Sequence, residues 1–334
     1  MHKTQTILLK NRPDGKPTKD DFKFITEMIE SPDKGQLILH TKYVSVDPYL
    51  RGRMRNQKSY IEPFALNEPI TSAIIAEVGE SNHKDFKKGD VVMGELAWKE
   101  HQLSNGKGLQ KIPSDQAELS AYLGVLGMTG ITAYVGMTNI GKPQDGETQV
   151  VSGAAGAVGS VAGQIGKIKG CHVVGIAGSD KKVQLLTQDF GMDKGINYKT
   201  TADIQKALKE ACPNGVDIYY DNVGGEIADA IFPLLNHGAR IINCGAIAVY
   251  NKTEMPQSIS PQPFLIKNSA SMQGFIVRDY KDQFSEAREA LTQWLQDGKL
   301  KHKETIVEGF DTIPEAFIGL FDGDNIGKMV VKVV

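Results

Sequence analysis

The chain has 334 residues, room for two domains at roughly 100–200 residues each. Its 38 Lys and Arg against 40 Asp and Glu leave a net charge of -2, which supplies no broad electrostatic footprint for nucleic acid or an anionic membrane. Hydrophobic residues at 40% and charged residues at 23% describe an ordinary soluble globule. The cysteines Cys171, Cys212 and Cys244 are odd in number and lack CxxC spacing, which argues against a disulfide framework or a structural zinc site and favours a reducing, cytoplasmic setting.

The first residues have no apolar core long enough for a signal peptide. Gln36–Tyr43 alternates polar and apolar residues as a half-buried strand does, and Thr71–Val78 and Asp90–Leu96 read the same way. The first 110 or so residues therefore read as a β-rich barrel or sandwich. Ala121–Met137 approaches the ~18 apolar residues of a membrane span, but Gly124, Gly127, Gly130 and Gly136 interrupt it, and it reads as one buried helix.

After Pro113 the texture changes. Apolar runs at Gln149–Ser152, His172–Ala177, Val216–Tyr220, Arg240–Cys244 and Met272–Val277 alternate with helical stretches at Val158–Lys169, Lys181–Asp189, Ile204–Ala211 and Ile227–Leu235. That alternation predicts parallel βαβ units in a sheet covered on both faces. An amphipathic helix follows over Asp282–Asp297. The tail, Thr305–Glu308, Ile313–Phe321 and Lys328–Val334, has the texture of the first region and could complete its sheet.

The run Gln149 to Gly159 follows a predicted strand and opens a helix, the context of a dinucleotide fingerprint. The strict pattern wants Gly at position 154, where Ala154 stands after Gly153; Gly156 would let backbone approach a pyrophosphate and Gly159 would let the helix lie close to the strand. The helix N-terminus, near Ala157 and Val158, offers unpaired N–H groups to phosphates. An NAD site wants an acid at the tip of the second strand. Gly178 and Ser179 occupy that tip, with Lys181 and Lys182 one turn on, so space, a hydroxyl and positive charge suit the 2′-phosphate of NADPH. Asp180 is the counter-indication, unless it helps cap the helix beginning there.

The seven histidines form no HxxxH pair and none lies near a cysteine at ligand spacing, so no metal site is read; no G-x-S-x-G elbow is present either. The chemistry then falls to the nicotinamide.

The segments Val46-Asp47-Pro48-Tyr49-Leu50-Arg51-Gly52-Arg53-Met54, Gly127 to Tyr134, the Gly-rich turn, Gly178 to Lys182, Tyr219-Tyr220-Asp221-Asn222-Val223-Gly224-Gly225, Cys244-Gly245-Ala246-Ile247 and Gly323-Asp324-Asn325-Ile326-Gly327-Lys328 together carry a resemblance. Across essentially its whole length the chain resembles the zinc-independent medium-chain dehydrogenase/reductases, and most closely the NADPH-dependent alkenal/enone reductases, a group that includes oxoprostaglandin reductases and curcumin reductases. The resemblance implies an α/β protein: a GroES-like β-rich catalytic domain from residues 1–124 and 302–334, and a Rossmann NADPH-binding domain with a doubly wound parallel sheet over 125–301. It places nicotinamide and substrate in the cleft between them.

By the same resemblance, Gly153, Ala154, Gly156, Ala157, Val158 and Gly159 would hold the pyrophosphate. Ser179, Lys182 and Tyr198 would meet the 2′-phosphate. Asn222, Cys244, Gly245, Ile247 and Asn325 would line the nicotinamide region, with Phe275 and Val277 on a strand bringing backbone to its amide. Tyr49, Tyr250 and Met128 would face an α,β-unsaturated carbonyl substrate, Tyr49 as an orienting donor. One departure is Lys267, which falls where several relatives carry a tyrosine. The implied reaction is hydride transfer to the β-carbon. Two alternatives stay open: a quinone reductase, and an NADPH-binding protein without turnover. No nucleic-acid or membrane partner is expected, and the Met272–Val277 edge suggests a homodimer.

Overall fold

A computed structural model describes residues 2–113, 117–254 and 256–333. The chain divides into two compact units. One comprises Met1–Leu123, Thr305–Asn325 and Met329–Val334; the other comprises Gly124–Glu304 and Ile326–Lys328.

The first unit opens with a hairpin, β1 (His2–Leu9) antiparallel to β2 (Phe22–Ile29). β3 (Leu37–Ser45) leads to a single helical turn, α1 (Leu50–Arg53), and then come β4 (Thr71–Ser81), β5 (Val91–Ala97), β6 (His101–Ser104) and β7 (Gln110–Lys111). The polar–apolar alternation of β3 and β4 fits one face on the core and one outward: Leu37 and Leu39 are buried while His40 and Lys42 are less so.

The second unit is built from α2 (Met128–Val135), β8 (Thr148–Val151), α3 (Gly159–Ile168), β9 (His172–Ala177), α4 (Asp180–Gln188), β10 (Lys194–Asn197), α5 (Ile204–Ala211), β11 (Val216–Asp221), α6 (Gly225–Ile231), β12 (Leu235–Asn243), α7 (Ile247–Tyr250), α8 (Gln262–Asn268), β13 (Ser271–Gly274) and α9 (Phe284–Gln296). Its six strands are parallel in the order β10-β9-β8-β11-β12-β13. That is the doubly wound Rossmann order, whose reversal between β8 and β11 marks where a ligand meets the carboxyl ends of strands. The central strands are apolar on both faces because helices cover both, and Val150, Val174, Tyr219 and Ile241 are fully enclosed.

The last elements, β14 (Glu304–Glu308), α10 (Ile313–Gly319) and β15 (Lys328–Lys332), close the chain. β15 pairs antiparallel with β3, which makes a seven-stranded sheet: six strands run in the order β14-β15-β3-β4-β5-β7, and β6 pairs with β3 beside that path. The tail thus completes the first unit's sheet; Val334, at the end of the predicted strand, lies outside the described residues. Phe317 of α10 enters the same core as Trp98 and Phe22, and the Trp98 indole N–H donates to Ser72 Oγ at 2.8 Å.

Three expectations are corrected. Ala121–Met137 is not one helix: a 3₁₀ turn over Leu119–Leu123, then α2, then a π-helical stretch over Gly136–Gly141 succeed one another. The break lies at Gly124–Gly127, where Gly127 N–H and Thr129 Oγ1 both donate to Gly124 O, and a side chain at Gly130 would strike Val125 O. The strand expected over Met272–Val277 ends at Gly274, because its partner strand β12 ends at Asn243, the residue opposite Gly274; Val277 instead begins a 3₁₀ turn. Finally, Ser179 rather than Asp180 caps α4, its Oγ accepting from Lys182 N–H at 3.3 Å. No helix among the described residues is long and apolar enough to cross a membrane.

Candidate cofactor site

The turn between β8 and α3 is shaped by three glycines. Gly153 sits at φ +59°, a left-handed conformation that costs a side-chain-bearing residue free energy. Gly156 N–H donates back to Gly153 O at 3.0 Å. A Cβ at Gly159 would collide with Gly153 O and stand 2.9 Å from Ala154 Cα, so only glycine lets α3 start this close to the strand. Ala154, the departure from the strict motif, is fully buried and donates its N–H to Ile176 O at 3.0 Å. Its methyl fits because β9 carries Gly175 opposite: a Cβ there would lie 3.0 Å from Ala154 Cβ. Ala157 and Val158 precede α3, whose first N–H groups have no partner within the helix.

The neighbouring tip of β11 is tied to this turn. Asp221, buried, receives four donors on Oδ1: Ser152 Oγ (2.8 Å), Tyr219 hydroxyl (2.8 Å), Val223 N–H (2.9 Å) and Gly224 N–H (2.8 Å). Its backbone carbonyl accepts Cys244 and Gly245 N–H at 2.9 and 3.1 Å. Asn222 donates Nδ2 to Ser152 O at 2.8 Å, and its own carbonyl accepts Ile247 N–H at 3.3 Å. Tyr250 hydroxyl accepts from Ala246 N–H at 3.3 Å. The predicted residues Asn222, Cys244, Gly245, Ile247 and Tyr250 are thereby drawn into one hydrogen-bonded set at the β8/β11 reversal, which Ser152 ties to the turn beginning at Gly153. Burial pushes the Cys244 thiol up to about 12, with the Tyr220 hydroxyl bond opposing the shift and the Asp221 charge adding to it.

A second group forms at the tips of β9 and β10. Gly178 and Ser179 follow β9, and no acid stands at that tip before Asp180. The Tyr198 ring lies against Gly178, where a Cβ would be 3.0 Å from Tyr198 Cε1. Lys182 is half-buried one turn into α4. Asp180 Oδ1 accepts Asn197 Nδ2 at 2.7 Å.

The other predicted residues are dispersed. Phe275 lies beyond β13, its ring edge-on to Tyr280 and close to Gly136. Val277 begins the following 3₁₀ turn, and Met128 is exposed at the first residue of α2. Tyr49 and Asn325 belong to the first unit. Tyr49 precedes α1 and is packed on the core that holds Leu50 and Met54. Lys267 is exposed in the last turn of α8.

Two contributors escaped the sequence reading. Gly327, at φ +64°, donates its N–H to Ala155 O at 2.7 Å and forms a parallel bridge with Gly156; a Cβ on it would collide with Lys303 O. The tail motif therefore pins the β8–α3 turn directly, and the glycine in that motif was the only local signal. Asn197 is the other, visible in sequence only as the residue before Tyr198. Among the described residues no three His, Cys, Asp or Glu side chains converge as a metal-ligand set.

Residues 5–112 match a domain family described as the N-terminal domain of oxidoreductase, and residues 157–294 match one described as zinc-binding dehydrogenase. A Bacillus subtilis protein whose name places it provisionally among NADP-dependent oxidoreductases is 55% identical, over 98% of this chain and 97% of its own. The Escherichia coli NADPH-dependent curcumin reductase is 41% identical, over 98% and 96%. The NADP-dependent 2-alkenal reductase of Nicotiana tabacum is 40% identical, also over 98% and 96%. The crystal structure of CurA from Vibrio vulnificus in complex with NADPH superposes with a TM-score of 0.94 at 42% identity, covering 99% of each chain. With the glycine cradle at the sheet reversal, these matches give the conclusion that the chain belongs to the medium-chain dehydrogenase/reductases, in their alkenal/enone reductase group.

Proposed function

We propose that this protein reduces the carbon–carbon double bond of α,β-unsaturated aldehydes and ketones with NADPH. The observation that carries the reading is the glycine cradle of Gly153, Gly156 and Gly159 at the β8/β11 reversal, set beside a β9 tip whose first residues are Gly178 and Ser179 rather than an acid. The relatives' chemistry supports it: one reduces curcumin with NADPH, another 2-alkenals with NADP as cofactor, and a third was crystallised with NADPH.

The residues fit the dinucleotide. The backbone of Gly153–Gly159 and the N-terminal N–H groups of α3 would hold the pyrophosphate. Ser179, Lys182 and Tyr198 would meet the 2′-phosphate. Asn222, Cys244, Gly245 and Ile247, with Asn325, Phe275 and Val277, would surround the nicotinamide end. When bound, NADPH supplies a hydride for the β-carbon of the substrate. Tyr49 would orient the substrate by donating to its carbonyl oxygen, where negative charge develops, and Tyr250 and Met128 would shape the space for its chain. Cys244 stays a neutral thiol and serves as wall, not nucleophile.

The finer attributes rest on smaller features. Zinc-independent chemistry is part of this proposal although one matching family is described as zinc-binding, and it is consistent with the described residues, among which no three His, Cys, Asp or Glu side chains converge. Three unpaired cysteines support a cytoplasmic setting. β13 ends the parallel sheet with its four residues exposed, an edge that a second copy would cover in a homodimer. Gel filtration giving a monomer mass would end the dimer proposal.

The test is loss of NADPH absorbance at 340 nm with a panel of 2-alkenals, enones and quinones, NADH run in parallel. Turnover of alkenals or enones with NADPH alone is the expected result. Turnover of quinones only, or of nothing while NADPH binds, would overturn the reading.

A further inference from the structure

We propose that Asn197 is a specificity-determining positioning residue: it clasps together the two segments that discriminate NADPH from NADH. The inference rests on the NADPH reading above and extends it to a residue that would not touch the phosphate itself.

β9 and β10 are parallel neighbours in register, Ala177 opposite Asn197, so both end at the same level. The residues proposed for the 2′-phosphate are split between the two tips. Ser179 and Lys182 follow β9; Tyr198 follows β10. Asn197 is nearly buried, and its side chain joins both segments. Its Nδ2 donates to Asp180 Oδ1 across the gap at 2.7 Å. Its Oδ1 accepts Lys199 N–H at 3.1 Å, and its backbone carbonyl accepts the N–H groups of Thr200 and Thr201 at 3.3 and 3.0 Å. The β10 loop is thus folded back over one residue, which leaves Tyr198 standing on Gly178. On the other side, Ser179 Oγ is engaged with Lys182 N–H, and Asp180 is the next residue.

The clasp also commits Asp180, the acid that follows Ser179. An aspartate at this place in a Rossmann unit that was available to the ribose would favour a 2′-hydroxyl, as in NAD sites. Here one carboxylate oxygen is held by a short charge-assisted bond to the Asn197 amide. Asn197 thus does two things at once. It fixes Tyr198 against Gly178, the residue before Ser179, and it draws Asp180 to itself.

The experiment compares kcat/KM for NADPH and NADH, and calorimetric Kd for 2′,5′-ADP and 5′-AMP, in the wild type, N197A, D180A, the double variant and K182A. For N197A the NADPH-to-NADH ratio falls about tenfold, the size of one hydrogen bond to a charged group, through weaker NADPH and 2′,5′-ADP values, while NADH and 5′-AMP values do not weaken. D180A, at an exposed position and therefore safe for folding, moves the ratio in the same direction, and the double variant adds nothing further. A merely structural role would instead weaken both cofactors equally, and that result overturns the proposal. A higher NADPH preference in D180A overturns it too, because Asp180 would then act as a free acid. A wild type without NADPH preference, or K182A without effect, defeats the NADPH reading on which the proposal stands, an outcome distinct from failure of N197A alone.

Discussion

The tip of β8 and the paired tips of β9 and β10 stand side by side in one sheet, yet they are made of different material. At β8 the tip is built on backbone: glycines in tight or left-handed conformations and N–H groups at a helix start. At β9 and β10 it is side chain: Ser179, Lys182, Tyr198 and the Asn197–Asp180 bond. Backbone cannot tell one dinucleotide from another, because the pyrophosphate is common to all of them. Side chains can. Damage at the first tip should therefore reduce every dinucleotide alike, and damage at the second should change only the preference.

The largest expected effect would break the first half of that contrast. Gly159→Ala drives a methyl into Gly153 O, where only backbone could yield. Affinity for NADPH and NADH should fall together by about a hundredfold, roughly 3 kcal/mol, in fluorescence titrations. A loss confined to NADPH would show that the turn is not a general pyrophosphate cradle.

Gly327→Ala comes next. The residue is left-handed and its Cβ would strike Lys303 O. Stability should drop by about 2 kcal/mol in urea denaturation, and both cofactors should bind more weakly because Ala155 loses its partner. Unchanged affinity in the folded variant would detach the tail from the site.

Lys182→Ala sharpens the second half. NADPH should lose about tenfold in affinity and NADH nothing, since only the 2′-phosphate carries the extra charge. Smaller still is Tyr49→Phe. One hydrogen bond of about 1 kcal/mol corresponds to about a fivefold fall in kcat, with the Kd of both cofactors unaltered; equal kinetics on enones would remove Tyr49 from the mechanism.

The smallest effect concerns what should stay silent while the two tips are compared. Burial raises Cys171 to about 11 and Cys212 and Cys244 to about 12, from an ordinary 9.0. At pH 8 the thiolate fraction is then about a thousandth or less, so electrophilic alkenals should alkylate the native thiols slowly, as mass spectrometry would read. The sign for stability follows from the same shifts. The native thiols hold their protons while the unfolded chain releases them, so this contribution is intact below about pH 9 and is lost as pH rises toward 11–12. Calorimetric Tm should be insensitive to the thiols up to about pH 9 and decline beyond it; rapid adduct formation at pH 8 would contradict the buried-thiol picture.

Legibility in the sequence followed the same division of material. The apolar runs of β9 and α5 were bounded correctly, because a buried parallel strand and an amphipathic helix carry their own periodicity. The β8–α3 turn was readable because glycine is demanded by local conformation. Ala154 looked like a defect in the motif until Gly175 was seen opposite it. The hairpin β1–β2 went unread, since β2 carries its exposed and half-buried residues in nearly even mixture. The single helix expected over Ala121–Met137 failed for a related reason. Apolarity reported burial, but not that the chain would break at Gly124–Gly127, with Gly130 of α2 brought up against Val125 O.

By itself the sequence determined the alternating strands and helices, the glycine turn that opens α3 and the acid-free tip of β9. Each is written in neighbouring residues, in periodicity, or in a conformation only glycine tolerates. Tertiary structure alone decided that Gly327 would pin Ala155, that Asp221 would gather the donors of two loops, and that Asn197 would reach Asp180, seventeen positions away. A hydrogen bond between residues far apart in the chain leaves no local pattern, because its geometry exists only once the strands that carry its two ends lie side by side.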